Sequence, residues 1–342
     1  MSYLPVVYEP EKQNHNSFIE GRVGMRHQRG LCVVVLGLVC NITATVWYDQ
    51  QATHPLELEV IGYLDMCQQR AWVAQYRLTS RPCVKALIRA RQRGVDVRII
   101  LDRGMSQSPA YSYVLSSFAQ AGIAVWWLGP VPLFHHKFAI IDNHVLTGSA
   151  NWTRPGLNIN EEGILMLDEP HLVQGYVSHY VTLMRRASGM REYTIQRSRD
   201  LFCMPDHKKS LRAALETALN AAQKRICIAM YSFTAPWCWR LLHAACKRGV
   251  CVQVLLDATQ TDVERLRSCV SCSTIDAHLY TSSAGIMHHK LALIDDELWY
   301  GSMNWTHAGM RHNQENVVRS THQASVAAAT QAFTALFTQS AG

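Results

Sequence analysis

Apolar and polar positions along this chain switch repeatedly between two periods. Residues 226–233, ICIAMYSF, form a short and almost wholly apolar run, the pattern of a buried strand. Residues 238–249, CWRLLHAACKRG, then space their apolar side chains for a helix and stop at Gly249, a residue suited to a helix C-terminus. The β-branched run 250–257, VCVQVLLD, predicts the next strand. Farther on, HKLALID alternates polar and apolar positions into another strand, closed by a Gly-Ser turn. Helices are predicted over 171–186 and 322–339, one at the end of each half. Strand–helix alternation in two similar halves predicts an α/β fold, with two similar α-β-α sandwich repeats packed about a pseudo-twofold axis.

The halves are copies of one module. His135-His136-Lys137-Phe-Ala-Ile-Ile-Asp142 returns as His288-His289-Lys290-Leu-Ala-Leu-Ile-Asp295. Gly148-Ser149-Ala-Asn151-Trp152-Thr153 returns as Gly301-Ser302-Met-Asn304-Trp305-Thr306, and Gly156, Asn160 and Glu162 match Gly309, Asn313 and Glu315. Upstream, Tyr76, Thr79, Cys83 and the strand end Asp102 match Tyr231, Thr234, Cys238 and Asp257. The repeats are expected over 57–198 and 209–338, with 199–208 as their junction.

The segment before the repeats reads differently. Residues 31–48, LCVVVLGLVCNITATVWY, lack any charge and follow Arg22, Arg26 and Arg29 in a basic leader, 1–30. Its length and basic flank predict a membrane anchor or an export signal, so the body is expected at a membrane or exported. The bland alternative is a buried helix or strand pair, because Asn41, Thr43 and Thr45 interrupt the run. Composition adds a preference for anions: 33 Lys and Arg against 26 Asp and Glu give a formal charge of +7. With 17% charged and 48% hydrophobic residues the chain is neither disordered, nor a coiled coil, nor a polytopic membrane protein. The 11 cysteines lie mostly in apolar segments and read as reduced. Cys269 and Cys272 have the spacing of half a zinc site, but no second pair follows at finger spacing.

On a strand, the period of two puts His135 and Lys137 on one face and turns His136 the other way; His288, Lys290 and His289 behave alike. Imidazole, ammonium, hydroxyl and amide in one place suit a phosphate group, with His able to attack phosphorus or move a proton. Two such clusters supply a nucleophile and an opposing acid across one phosphodiester. Glu162 and Glu315 are the candidates to orient the imidazoles. Asp142 and Asp295 are grouped with the catalytic set, with local hydrogen bonding to turn amides as their other reading. No metal-spaced cluster accompanies the motifs, so neither metal nor cofactor is expected.

These residues resemble the HxKxxxxD…GSxN signature of the phospholipase D superfamily. The wording MHHKLALID…GSMNWT…HNQENVV is especially similar to its mitochondrial cardiolipin hydrolase and bacterial endonuclease branch. The resemblance implies a phospholipase D-like fold with the active site between the repeats. It also implies a one-chain site that needs no dimer, because both motifs are present. A two-step displacement is implied too, with His135 as nucleophile, His288 as acid, and a phosphohistidine between the steps. Lys137, Lys290, Asn151 and Asn304 would hold the phosphate, with Ser149 and Ser302 in support. One departure is Gly163 after Glu162, where the second copy has Asn316, a residue the family often shows.

The superfamily signature does not name the phosphodiester. The apolar segment favours a phospholipid head-group phosphate at a membrane surface. Nucleic acid, which needs a cationic groove, is the alternative; Arg89, Arg91, Arg93, Arg98 and Arg103 give the first repeat a basic helix and strand end, with a solvated helix face as their other reading, and phosphatidyl transfer is a third. The run Val125-Trp126-Trp127-Leu-Gly-Pro-Val-Pro-Leu133-Phe134 reads either as a lipid-facing lip or as a buried strand and turn.

Overall fold

Parallel strands need cover on both faces, and that requirement explains the unbroken apolar runs of the sequence. The structure is a computed structural model that describes residues 45–48 in backbone, and 55–129, 132–190, 198–261, 263–270 and 274–341. Two seven-stranded sheets result. The first runs Thr45–Tyr48, Gly163–Leu167, His144–Gly148, Lys137–Ile141, Arg70–Gln75, Asp96–Asp102, Val125–Leu128. Its last three strands are parallel and the other pairings antiparallel. The second sheet repeats this order from Leu201–Cys203 through Asn316–Ser320, Glu297–Gly301, Lys290–Ile294, Arg225–Met230 and Cys251–Asp257 to Asp276–Tyr280.

Helices Leu56–Met66 and Arg81–Gln92 contribute to the apolar cluster on the outer face of the first sheet, and Lys208–Ala221 and Pro236–Lys247 to that of the second. The helices that end each half, Pro170–Ala187 and Gln323–Ser340, contribute to a third cluster shared by both halves. There Phe134, Phe138, Tyr176 and Tyr180 belong to the same buried set as Leu291, Tyr300 and Phe333. Each such side chain contributes about 1.5–3 kcal/mol on burial, so the pairing of the halves is itself a core.

Two boundaries differ from expectation for one reason. Residues 201–203, expected in the junction, form the edge strand that pairs with Asn316–Val318. The last four residues of the expected 31–48 segment, Thr45–Tyr48, likewise form the edge strand that pairs with Gly163–Met166. Strands of three or four residues are too short to show a period. The remaining 31–44 lies outside the described residues, and among these no helix is long and apolar enough to cross a membrane.

In the aromatic run near 125, Val125–Leu128 is a strand that pairs with Ile99–Asp102, Trp126 packs against the shared core, and Phe134 is fully buried. A lip made of these side chains is thereby corrected. All eight described cysteines are free. Burial pushes the Cys83 thiol up to about 12, which leaves it a core residue. Cys269 is half-buried, and Cys272 lies outside the described residues.

Candidate active site

Each H-x-K motif enters its strand from a loop that a carboxylate clamps. Asp102 accepts from the Phe134 amide at 2.9 Å and Asp257 from the Met287 amide at 2.7 Å, one residue before each motif histidine. The motif backbone then bonds across to the other half. The His135 amide donates to the Gln314 carbonyl, and the His288 amide to the Glu161 carbonyl, both at 2.9 Å. As a result the orienting carboxylates are exchanged between the repeats. His135 Nδ1 lies 2.9 Å from both oxygens of Glu315, and His288 Nδ1 lies 2.7 Å from Glu162 Oε1.

All of these groups are almost fully buried. Lys137 Nζ donates back to the His135 carbonyl at 2.9 Å, and Lys290 Nζ to the His288 carbonyl at 2.5 Å. Each ammonium thus fixes the backbone of its own histidine and keeps further donors. Tyr76 and Tyr231 complete the arrangement, with ring centroids 5.0 Å and 4.7 Å from His135 and His288. The lysine nitrogens sit 5.3 Å and 5.1 Å from the same rings. The two tyrosines stood among the repeat's matching positions, and nothing local marked them as site residues.

Burial sets the electrostatics. It lowers His135 to about 4, against the opposing pull of Glu315, and lowers Lys137 to about 8 and Lys290 to about 7. His288 is held well below the usual imidazole value by burial and the two lysines. The carboxylates diverge. Burial raises Glu162 to about 8. Glu315 ends below its ordinary value, because His135, Lys137 and the Ser302 hydroxyl outweigh its burial. Glu315 Oε2 accepts from Ser302 Oγ at 2.6 Å and Oε1 from Asn313 Nδ2 at 3.2 Å. Glu162 Oε2 has no hydrogen-bond partner among the described residues.

Several expected roles change. Ser149 and Ser302 are fully buried. Ser302 donates to Glu315, and Ser149, which also favours the charged form of Glu162, pairs with the Tyr300 hydroxyl at 3.0 Å. Asn151 and Asn304 remain half-buried; Asn304 Oδ1 accepts from the Ser232 amide at 3.3 Å, and Asn151 Oδ1 is unpartnered. Asp142 and Asp295 lie at the far ends of the motif strands, some 17 Å along the chain from the motif lysines at about 3.3 Å per residue. Their carboxylates accept the amides of Gln68, Gln69 and Arg70, and of Gln223, Lys224 and Arg225. Both have positive φ, 50° and 51°, which Asp tolerates better than most residues. They are turn-holding residues, and their grouping with the catalytic set is corrected. Asp142→Ala is expected to cost about 2–4 kcal/mol in urea unfolding, with kcat of the folded enzyme within threefold of the parent. A loss of kcat without loss of stability would restore a catalytic role.

The departure at Gly163 is answered by a second difference. Asn316 Oδ1 lies 3.2 Å from His136 Nδ1, and its amide donates to Thr147 at 2.7 Å and to Tyr176 at 2.9 Å. Across the pseudo-twofold, Gly163 replaces the asparagine and Tyr300 replaces Thr147. The tyrosine hydroxyl reaches Ser149 and, at 3.3 Å, His289 Nδ1. A small residue facing asparagine in one half is matched by a large one facing glycine in the other. His136 and His289 therefore lie behind the site, as the strand period implies. The motif glycines meet the same strands. A Cβ on Gly148 would stand 2.2 Å from the Gly163 carbonyl oxygen, and one on Gly301 would stand 2.1 Å from that of Asn316.

Among the described residues no group of three or more His, Cys, Asp or Glu is placed to hold a metal. Of the five arginines of the basic helix and strand end, three are engaged in the fold. Arg89 pairs with Asp65, Arg98 with Asp96, and Arg93 donates to the Leu64 and Cys67 carbonyls.

Two α/β repeats that exchange carboxylates across a pair of H-x-K strands define the class, a duplicated phospholipase D-like protein with both motifs in one chain. A family model described as "Cardiolipin synthase, PLD-like domain" matches residues 60–184 and again 215–337, and the chain belongs to that family. A mitochondrial cardiolipin hydrolase of Chlamydomonas reinhardtii is 31% identical over 121 residues, 35% of this chain and 53% of that protein. A protein of Rickettsia typhi named phospholipase D is 31% identical over 132 residues, 38% of this chain and 62% of that protein. The chain thus spans about half the length of the curated relatives it matches. A phosphatidylserine synthase structure from Haemophilus influenzae superposes with a TM-score of 0.65 over 86% of each chain at 12% identity, a likeness of fold.

Proposed function

We propose that this protein is a phospholipase D-type phosphodiesterase that hydrolyses membrane phospholipids through a phosphohistidine, without a metal. The exchanged His–Glu pairs carry the proposal, because they give the two histidines different protonation. Glu315, braced as an anion, accepts from His135 Nδ1 and leaves the Nε2 lone pair free for attack. Glu162, raised to about 8, carries a proton at neutral pH and donates it to His288 Nδ1. His288 then presents Nε2–H to the leaving oxygen.

In the first step the His135 Nε2–P bond forms and the P–O bond to the leaving alcohol breaks. His288 passes its Nε2 proton to that oxygen and is recharged from Glu162. In the second step water attacks phosphorus, gives its proton back through His288, and the N–P bond breaks. Lys137, Lys290, Asn151 and Asn304 stabilise the non-bridging oxygens. The names of the cardiolipin hydrolase and phospholipase D relatives support a lipid diester. The engagement of Arg89, Arg93 and Arg98 within the fold weighs against a long nucleic-acid groove.

The test compares vesicles of cardiolipin or phosphatidylcholine with single-stranded DNA and RNA, all in EDTA. Phosphatidate release with intact nucleic acid is the expected outcome. Cleaved nucleic acid with untouched lipid would make the enzyme a nuclease instead, and loss of all turnover in EDTA would end the metal-free mechanism.

A further inference from the structure

A cavity of about 530 Å³ lies between the helices Lys208–Ala221, Pro236–Lys247 and His307–Arg311, and no motif histidine lines it. Its floor is apolar, made by Leu211, Leu215, Ala235, Trp237 and Met310. Its rim carries Lys208, Lys209, Arg212, Arg240 and Arg311, and no acidic residue lines it. Arg212 pairs with Glu216. The other four cations are exposed and form no hydrogen bond or ion pair among the described residues. We propose that this cavity seats the head group of an anionic phospholipid and docks this face of the second repeat on a bilayer.

Three observations converge on that occupant. The first is divergence between the copies. At the matching places the first repeat keeps a cation in Lys85 for Arg240 but has Glu57 for Arg212, Pro82 for Trp237 and Asn158 for Arg311, and Glu57 accepts from the Ser80 hydroxyl at 2.6 Å. The basic cavity therefore belongs to one copy and is not required by the shared fold. The second is local cost. Lys208 and Lys209 open their helix with no acidic residue in its first turn, against the helix dipole. Fold stability alone does not favour that placement, whereas an anion bound between the helices does.

The third observation separates a lipid from a nucleic acid. Base stacking needs an open aromatic face. Trp237 is 9% exposed, and the Arg212 guanidinium covers its ring at 3.8 Å. An apolar floor under a rim on which four of the five cations have no side-chain partner among the described residues instead suits a phosphate with glycerol and acyl carbons beneath it. Lys and Arg near an anionic surface contribute about 1 kcal/mol each, so reversing two of them is expected to weaken binding by at least about tenfold.

The test uses the full chain carrying His288→Ala, so that turnover cannot alter the vesicles and the catalytic reading stands or falls in its own assay. Co-sedimentation would be measured with phosphatidylcholine vesicles containing 20% phosphatidate or none. The cavity variant R240E/R311E is compared with R91E/K247E, an equal charge change at exposed positions elsewhere. The expected result is binding that depends on phosphatidate and falls at least about tenfold in the cavity variant, well beyond the loss in its control. Equal losses in the two variants would reduce the effect to net charge and overturn the proposal. So would undiminished vesicle binding by the cavity variant, or a loss confined to a single-stranded oligonucleotide.

Discussion

His288→Ala is expected to accumulate one phosphoryl group per molecule on His135 when the substrate is a p-nitrophenyl phosphodiester. Nitrophenolate is a good leaving group, so the first step proceeds without the acid. The second step, which needs His288 to take a proton from water, stalls. The readout is a burst of one nitrophenolate per site and an acid-labile, base-stable adduct that mass spectrometry maps to His135. With a phospholipid, whose leaving alcohol requires protonation, both steps depend on both histidines. His135→Ala and His288→Ala should each then lower kcat by at least ~10³-fold, and the double variant should be no worse than either. An adduct on His288 in the His135→Ala protein would exchange the two roles. Full activity in either single variant would end the two-histidine mechanism.

The exchanged carboxylates lead to the second large effect. Glu315→Gln is expected to lower kcat by ~10²–10⁴-fold, because the amide can donate to His135 Nδ1 and move the ring proton onto Nε2, where the lone pair must be. The variant should also remove the downfield Nδ1–H proton resonance of His135 while leaving the downfield proton that Glu162 shares with His288 Nδ1. Loss of the Glu162–His288 proton resonance instead would refute the exchange.

Glu162→Gln should act on the pH profile. In the parent enzyme kcat/KM is expected to rise as pH passes about 4, where His135 becomes neutral. It is expected to fall as pH passes about 7 to 8, where Lys290 and Lys137 lose their charge and Glu162 its proton. Without the Glu162 proton the alkaline fall in kcat should disappear along with most of kcat, and the lysine titration should persist in KM. An unchanged alkaline limb in kcat would show that Glu162 is not the proton reservoir.

Residue type and local period were enough for the α/β class, the duplication and the placing of each His with its Lys on one strand face. His135, Lys137, His288 and Lys290 share strand faces because of a two-residue repeat, and that geometry is complete within three consecutive positions. His136 and His289 fall behind the site by the same rule. What each histidine faces is a different matter. Its carboxylate partner is 180 residues away in one half and 126 in the other. No pattern along the chain encodes such a pairing, so the sequence could nominate Glu162 and Glu315 without matching them to His288 and His135.

The same limit governs Asp142 and Asp295. They stand inside the recurring motif, and the length of a strand alone carries them to the opposite edge of the sheet. The exchange of Thr147 and Asn316 for Tyr300 and Gly163 is likewise invisible until the halves pack, because its logic is the volume two side chains share across the pseudo-twofold. Edge strands Thr45–Tyr48 and Leu201–Cys203 escaped notice because three or four residues carry no period, and their register comes entirely from the ladder beside them. Local side-chain chemistry is thus written in sequence order. The protonation state of each catalytic group depends on burial and on partners that only the packing of the two repeats supplies.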